Sequence, residues 1–184
     1  MRTAFDNAFG FIVDDHDELH RLFDNHQRAL LAKDIDTAIT TLLKFQHDLE
    51  RHIDFEETLL LPKYAQEGGE TAGGTMTIFL AEHRKLRQLL DKLSHKTAAL
   101  YAASDVDAEI IEILDQEAMF KGLLSHHDLR EHNILIPRLD SRTTPTERDR
   151  LREKHAALAI GSTDGSANEL RFVDAFAAPD GRSE

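Results

Sequence analysis

Four stretches of this chain place apolar residues at intervals of three and four, and hold that rhythm for about seven steps each. The first runs Phe5, Phe9, Ile12, His16, Leu19, Phe23, His26, Leu30; the second Ile35, Ile39, Leu42, Phe45, Leu49, His52, Glu56, Leu59. The third is Met76, Phe79, His83, Leu86, Leu90, Leu93, Thr97, Leu100, and the fourth Ile110, Ile113, Glu117, Phe120, Leu124, His127, Glu131, Ile134. A helix that keeps one apolar stripe for so long must lay it against other helices, with crossings near +20° as in bundles. No stretch alternates with the period of two that a half-buried strand needs. The fold class expected is all-α: an antiparallel up-down-up-down four-helix bundle with a short extra C-terminal helix and a tail.

The breaks between stripes carry stop and start chemistry. Asp34 and Ser104-Asp105 are placed to cap the second and fourth helices, and Thr144-Pro145-Thr146-Glu147 to open a short fifth one. Pro62, late in the second stripe, is expected to kink its last turns. Residues 67–74, rich in glycine, form a flexible connection. From Gly161 the composition turns small and polar, with at most a turn or two of helix near Leu170–Phe176. The domain reading is therefore a bundle over 1–143 and a short helix with a flexible tail over 144–184.

Composition mainly excludes. The absence of cysteine removes disulfides, iron–sulfur clusters, thiolate zinc sites and cysteine nucleophiles. A formal charge of −12 leaves no basic surplus for a nucleic-acid partner. No apolar run approaches the ~20 residues of a membrane span, and the N-terminal segment turns acidic where a secretory signal would be apolar. The expectation is a cytoplasmic protein. The chain nevertheless holds 11 histidines beside 2 tyrosines and no tryptophan.

Six polar residues, His16, His52, Glu56, His83, His127 and Glu131, occupy apolar positions across all four stripes. Each such group buried unpaired costs about 1–3 kcal/mol, and a bare charge far more; six would consume the ~5–15 kcal/mol that stabilises a whole domain. They must satisfy one another, sit at an open end, or bind something, and a metal ion does this with the fewest assumptions. His52/Glu56 and His127/Glu131 are i,i+4 pairs, so both side chains leave one helix face. One HxxxE is expected by chance in a chain so rich in both residues. Two copies in an internal repeat are another matter. Each is followed by a proline ten residues after its histidine, Pro62 and Pro137, and Asp15-His16 with Leu19 parallels Glu82-His83 with Leu86. The chain reads as two duplicated helix pairs, each giving one lone histidine and one HxxxE.

This order of His, HxxxE, His and HxxxE over four helices resembles the hemerythrin-like HHE cation-binding domain, over roughly residues 8–140. The resemblance implies a metal site of His16, His52, His83 and His127 as terminal imidazoles, with Glu56 and Glu131 as carboxylates bridging two iron ions. An oxide or hydroxide would complete the bridge, and Mn or Zn are possible substitutes for Fe. It departs from hemerythrins proper in carrying Arg87 where they place the second histidine of an HxxxH on the third helix; here the HxxxH is His16/His20 on the first. With octahedral metals, two coordination positions stay open, or one if His20 also binds. Imidazole with carboxylate suits Fe, Mn or Zn rather than Ca or Mg. The function implied is a non-haem di-iron protein binding O2 or another small diatomic or peroxide ligand, for storage or sensing. An enzyme acting on peroxide or nitric oxide, with His20 or Tyr64 as proton donor, and an iron-responsive interaction module are the alternatives. Ile12, Phe79, Leu86 and Leu124 lie at the level of the site and would keep water out.

The remaining histidines divide further. His20 stands one residue beyond its stripe, either as a fifth ligand or as a surface or supporting group. His126 points about 100° away from His127, and His47, His95, His132 and His155 are expected on solvated faces. His26 and Glu117 each interrupt a stripe ten residues from the metal layer, about 15 Å along antiparallel helices, and are expected to hydrogen-bond to each other.

Overall fold

The computed structural model describes residues 9–66 and 71–161. Phe5, residues 67–70 of the glycine-rich connection and the tail with Leu170–Phe176 lie outside the described residues. What is described is helical nearly throughout, with no strand among the described residues. Helix α1 spans Gly10–Leu31 and α2 Ile35–Phe55, which passes through a π turn at Glu56–Leu60 into α3, Leu61–Gln66. Helix α4 is Met76–Ala99; α5, Val106–Arg130, passes through a second π turn at Glu131–Leu135 into α6, Ile136–Arg142; α7 is Pro145–Gly161. None of these helices is long and apolar enough to cross a membrane.

The expected caps are in place. Asp34 accepts from the Thr37 amide at 3.1 Å and Asp105 from the Ala108 amide at 3.1 Å. Thr144 and Glu147 form a reciprocal capping box, amide 144 to the Glu147 carboxylate at 2.8 Å and amide 147 to the Thr144 hydroxyl at 3.3 Å. With that start α7 runs for 17 residues, from Pro145 to Gly161, the point at which the composition turns small and polar. It packs back on the other helices through buried Leu151 and His155.

The two π turns correct the stripes near their ends. The amide of Leu61 bonds the carbonyl of Glu56, and that of Ile136 the carbonyl of Glu131, each reaching back five residues instead of four. Pro62 and Pro137, which cannot donate to the ladder, follow at once, so the kink expected at Pro62 takes the form of a widened turn before it. One extra residue turns everything after it by about 100°. Leu60 and Leu61 are therefore buried in place of Leu59, and Leu135 and Ile136 in place of Ile134, both of which stay half-exposed.

Two apolar clusters result. One holds Leu19, Phe23, Leu49, Leu86, Phe120 and Leu124, with the rings of Phe23, Phe45 and Phe120 in mutual contact at centroid separations of 5.0–5.7 Å. The other holds Phe9, Ile12, Phe55, Leu60, Tyr64, Phe79 and Leu135. His16, His52, Glu56, His83, His127 and Glu131 form the layer between them. Further along the first cluster, His26 Nε2 lies 2.7 Å from Glu117 Oε1, as expected, while its Nδ1 donates to the Ala38 carbonyl at 2.8 Å and Gln27 donates to the other Glu117 oxygen at 2.8 Å. Both side chains are fully buried. Glu117→Ala should lower unfolding stability by about 3–5 kcal/mol, because it strands a buried imidazole; urea denaturation measures this.

Candidate metal centre

Every one of the six expected residues is buried in this layer, and their polar atoms converge. His16 and His52, brought by α1 and α2, have Nε2 atoms 3.2 Å apart; His83 and His127, brought by α4 and α5, have theirs 3.1 Å apart. The glutamates stand between the two pairs. Glu56 puts Oε1 at 3.5 Å from His52 and Oε2 at 3.2 Å from His83. Glu131 puts Oε2 at 3.0 Å from His16 and Oε1 at 2.7 Å from His127. Two groups of possible ligands follow, His16, His52, Glu56, Glu131 and Glu56, His83, His127, Glu131, in each of which the ligand atoms all lie within 4.8 Å of one another. Each carboxylate belongs to both, with one oxygen on either side.

These side chains do not satisfy one another. All four oxygens of Glu56 and Glu131 are buried without a properly directed hydrogen bond, although imidazole nitrogens lie within ion-pair distance. An imidazole pair joined Nε2 to Nε2 can share only one proton. Such orphaned oxygens are rare in protein interiors. A donor set of nitrogens and carboxylate oxygens around two centres fits divalent transition metals.

Without metal, protons take the cations' place. Burial opposes charge on His16, but Glu131 prevails and raises it to about 9. His127 is likewise opposed by burial and raised well above its ordinary value by Glu131. Burial and His127 together push His83 down to about 4. Of the two carboxyls, Glu56 is pushed up by burial and by the charge of Glu131, whereas burial of Glu131 is overcome by His127 and His16 and its value falls. The shifts of His16, His127 and Glu56 all favour the protonated form, which a metal ion would have to displace. Loading at pH 7 should release protons from these side chains, and affinity should fall as pH is lowered; calorimetry in buffers of different ionisation enthalpy detects the release.

Three of the four imidazoles are held from behind by a carboxylate on Nδ1, and each carboxylate is held by an arginine. His52 faces Asp15 at 3.4 Å, with Arg51 donating to Asp15 at 3.2 Å. His83 faces Glu57 at 2.9 Å, with Arg87 donating to Glu57 at 2.8 Å. His127 faces Glu82 at 3.1 Å, with Arg130 donating at 3.1 Å. Burial opposes charge on all three carboxylates, yet these partners hold each below its ordinary value. Such a partner fixes the ring's orientation and tautomer and raises its basicity as a ligand. Arg87 therefore serves His83 from the position where a further histidine was the point of comparison. Sequence reasoning marked Asp15 and Glu82 only as signs of duplication and missed Glu57 and the arginines, because each contact crosses between helices.

The other histidines lie apart. His20 is engaged with Asp128 at 2.7 Å and joins neither group. His126 contacts Arg130 at 2.9 Å on the surface, and His95 and His132 are exposed, while His47 is half-buried. His155, expected on a solvated face, is instead buried, because α7 folds back and inserts it between Phe11 and Phe55 with its Nε2 2.7 Å from Asp15. The Tyr64 hydroxyl donates to the Gly74 carbonyl at 2.6 Å.

Comparison with known proteins adds one match: a family model described as the Hemerythrin HHE cation binding domain, over residues 7–139. No curated protein and no solved structure gives a match.

Proposed function

Because the chain belongs to the hemerythrin HHE cation-binding family, we propose that its His/Glu layer holds two metal ions, iron foremost, and that the pair takes O2 or a related small ligand for storage or sensing. The observation that carries this reading is the placement of one oxygen of Glu56 and one of Glu131 beside each pair of imidazoles. His16 and His52 would hold one ion and His83 and His127 the other, with both glutamates shared. Iron would supply an exchangeable pair of electrons and an open position for the ligand, and Mn or Zn could fill the same donor set. The four helices are read as an antiparallel up-down-up-down bundle, supported by contacts such as His26 near the end of α1 with Ala38 near the start of α2.

The chain's own residues make this layer suited to holding a ligand. Asp15, Glu57 and Glu82 keep three imidazoles turned inward. Ile12, Phe79, Leu86 and Leu124, all fully buried, close the layer above and below and keep bulk water away. The side chains considered as proton donors for an enzyme are directed elsewhere, His20 to Asp128 and Tyr64 to Gly74, and this favours binding over turnover. The test is anaerobic loading with ferrous iron followed by O2. A spectral change that reverses on removing O2 supports the reading. Turnover of peroxide or nitric oxide would assign an enzyme instead, and a chain that takes up no metal would overturn both.

A further inference from the structure

Helix α7 begins at Pro145, beyond the segment that the family model covers, yet one of its side chains reaches toward the metal layer. His155 Nε2 donates to Asp15 Oδ2 at 2.7 Å, and the same oxygen lies 3.4 Å from His52 Nδ1. The carboxylate is thus held more closely by α7 than by the imidazole it supports. The internal duplication supplies a control within the molecule. Glu82 stands to His127 as Asp15 stands to His52, and Glu82 is gripped by Arg130 through both Nε, at 3.1 Å, and Nη2, at 2.9 Å. Asp15, shorter by one methylene, receives a single 3.2 Å bond from its own arginine, Arg51. In the first half His155 supplies what Arg130 supplies alone in the second.

The docking is built rather than incidental. The imidazole of His155 packs against Phe11, on the helix that carries His16, at 4.9 Å, and against Phe55, the neighbour of Glu56, at 5.1 Å. Leu151, one turn earlier, joins the apolar cluster beneath the layer, and Lys63 pairs with Glu147 at 2.8 Å at the start of α7. We propose that His155 is a positioning residue for the metal centre: through Asp15 it sets the orientation of the His52 imidazole, and α7 is thereby coupled to metal occupancy. This rests on the reading that His52 is a ligand. Coupling between sites is reciprocal in binding free energy, so metal must tighten the docking of α7 by as much as α7 strengthens the metal.

The test uses the full chain and cobalt(II), whose visible absorption reports its coordination. His155→Phe keeps a ring between Phe11 and Phe55 and removes the donor; His155→Gln keeps a donor. The Phe variant should stay helical, bind cobalt(II) about 10–100-fold more weakly, as losing an outer partner of a ligand does, and show a changed spectrum. The Gln variant should recover much of the affinity. In the unaltered chain, cobalt(II) should slow amide exchange across 145–161. A Phe variant with unchanged affinity and spectrum, or one that loses thermal stability alone, overturns the inference and leaves His155 as packing. Should that variant fail to fold, amide exchange decides, and exchange across α7 that ignores the metal overturns it too. Failure of the unaltered chain to bind cobalt(II) at all would instead strike the proposed function.

Discussion

Replacing Glu131 with alanine is expected to abolish tight metal binding on both sides of the layer at once. Its two oxygens face opposite ways, Oε2 toward His16 at 3.0 Å and Oε1 toward His127 at 2.7 Å, so one truncation removes a ligand atom from each group. The loss should exceed the ~10–100-fold that removing an outer partner costs, since a coordinating atom itself is gone. His16→Ala provides the contrast, because His16 belongs to one group only. After loading and desalting, elemental analysis should find no metal in Glu131→Ala and one ion retained in His16→Ala. Equal losses in the two variants would mean that Glu131 does not bridge.

Stripping the metals should destabilise the whole fold. Four carboxylate oxygens lie buried without a directed hydrogen bond, and the glutamates raise His16 and His127 above their ordinary values. A ligand present at a thousandfold its Kd stabilises by about 4 kcal/mol per site, or roughly 8 kcal/mol for two. For a domain of this size each kcal/mol moves the melting temperature by about 2–4 °C, so chelation should lower it by on the order of 20 °C. Scanning calorimetry with and without chelator measures the shift. An unchanged melting temperature would mean that the layer is satisfied without metal.

Much of this was legible in the sequence because it depends on spacing along single helices. The stripes placed all six polar residues of the layer in the core, and the two prolines ten residues after His52 and His127 exposed the duplication. The His26–Glu117 pair followed from the same arithmetic, ten residues on from His16 and ten back from His127. What spacing could not reveal falls into two kinds. The π turns shift the helical phase after Glu56 and Glu131, moving burial from Leu59 to Leu60 and from Ile134 to Leu135; a constant period carries no trace of them, though the prolines that follow were the available hint. The carboxylates behind the imidazoles, and His155 above all, depend on which helix faces which. His155 sits on a helix with a weak stripe of its own, and its place between Phe11 and Phe55 and against Asp15 distinguishes it from a surface histidine.

Anaerobic titration of the unaltered chain with ferrous iron decides whether two ions are held by shared carboxylates. Uptake should saturate at two ions per chain, with release of protons at pH 7. Saturation at one ion, or no uptake, would contradict the bridged arrangement of Glu56 and Glu131.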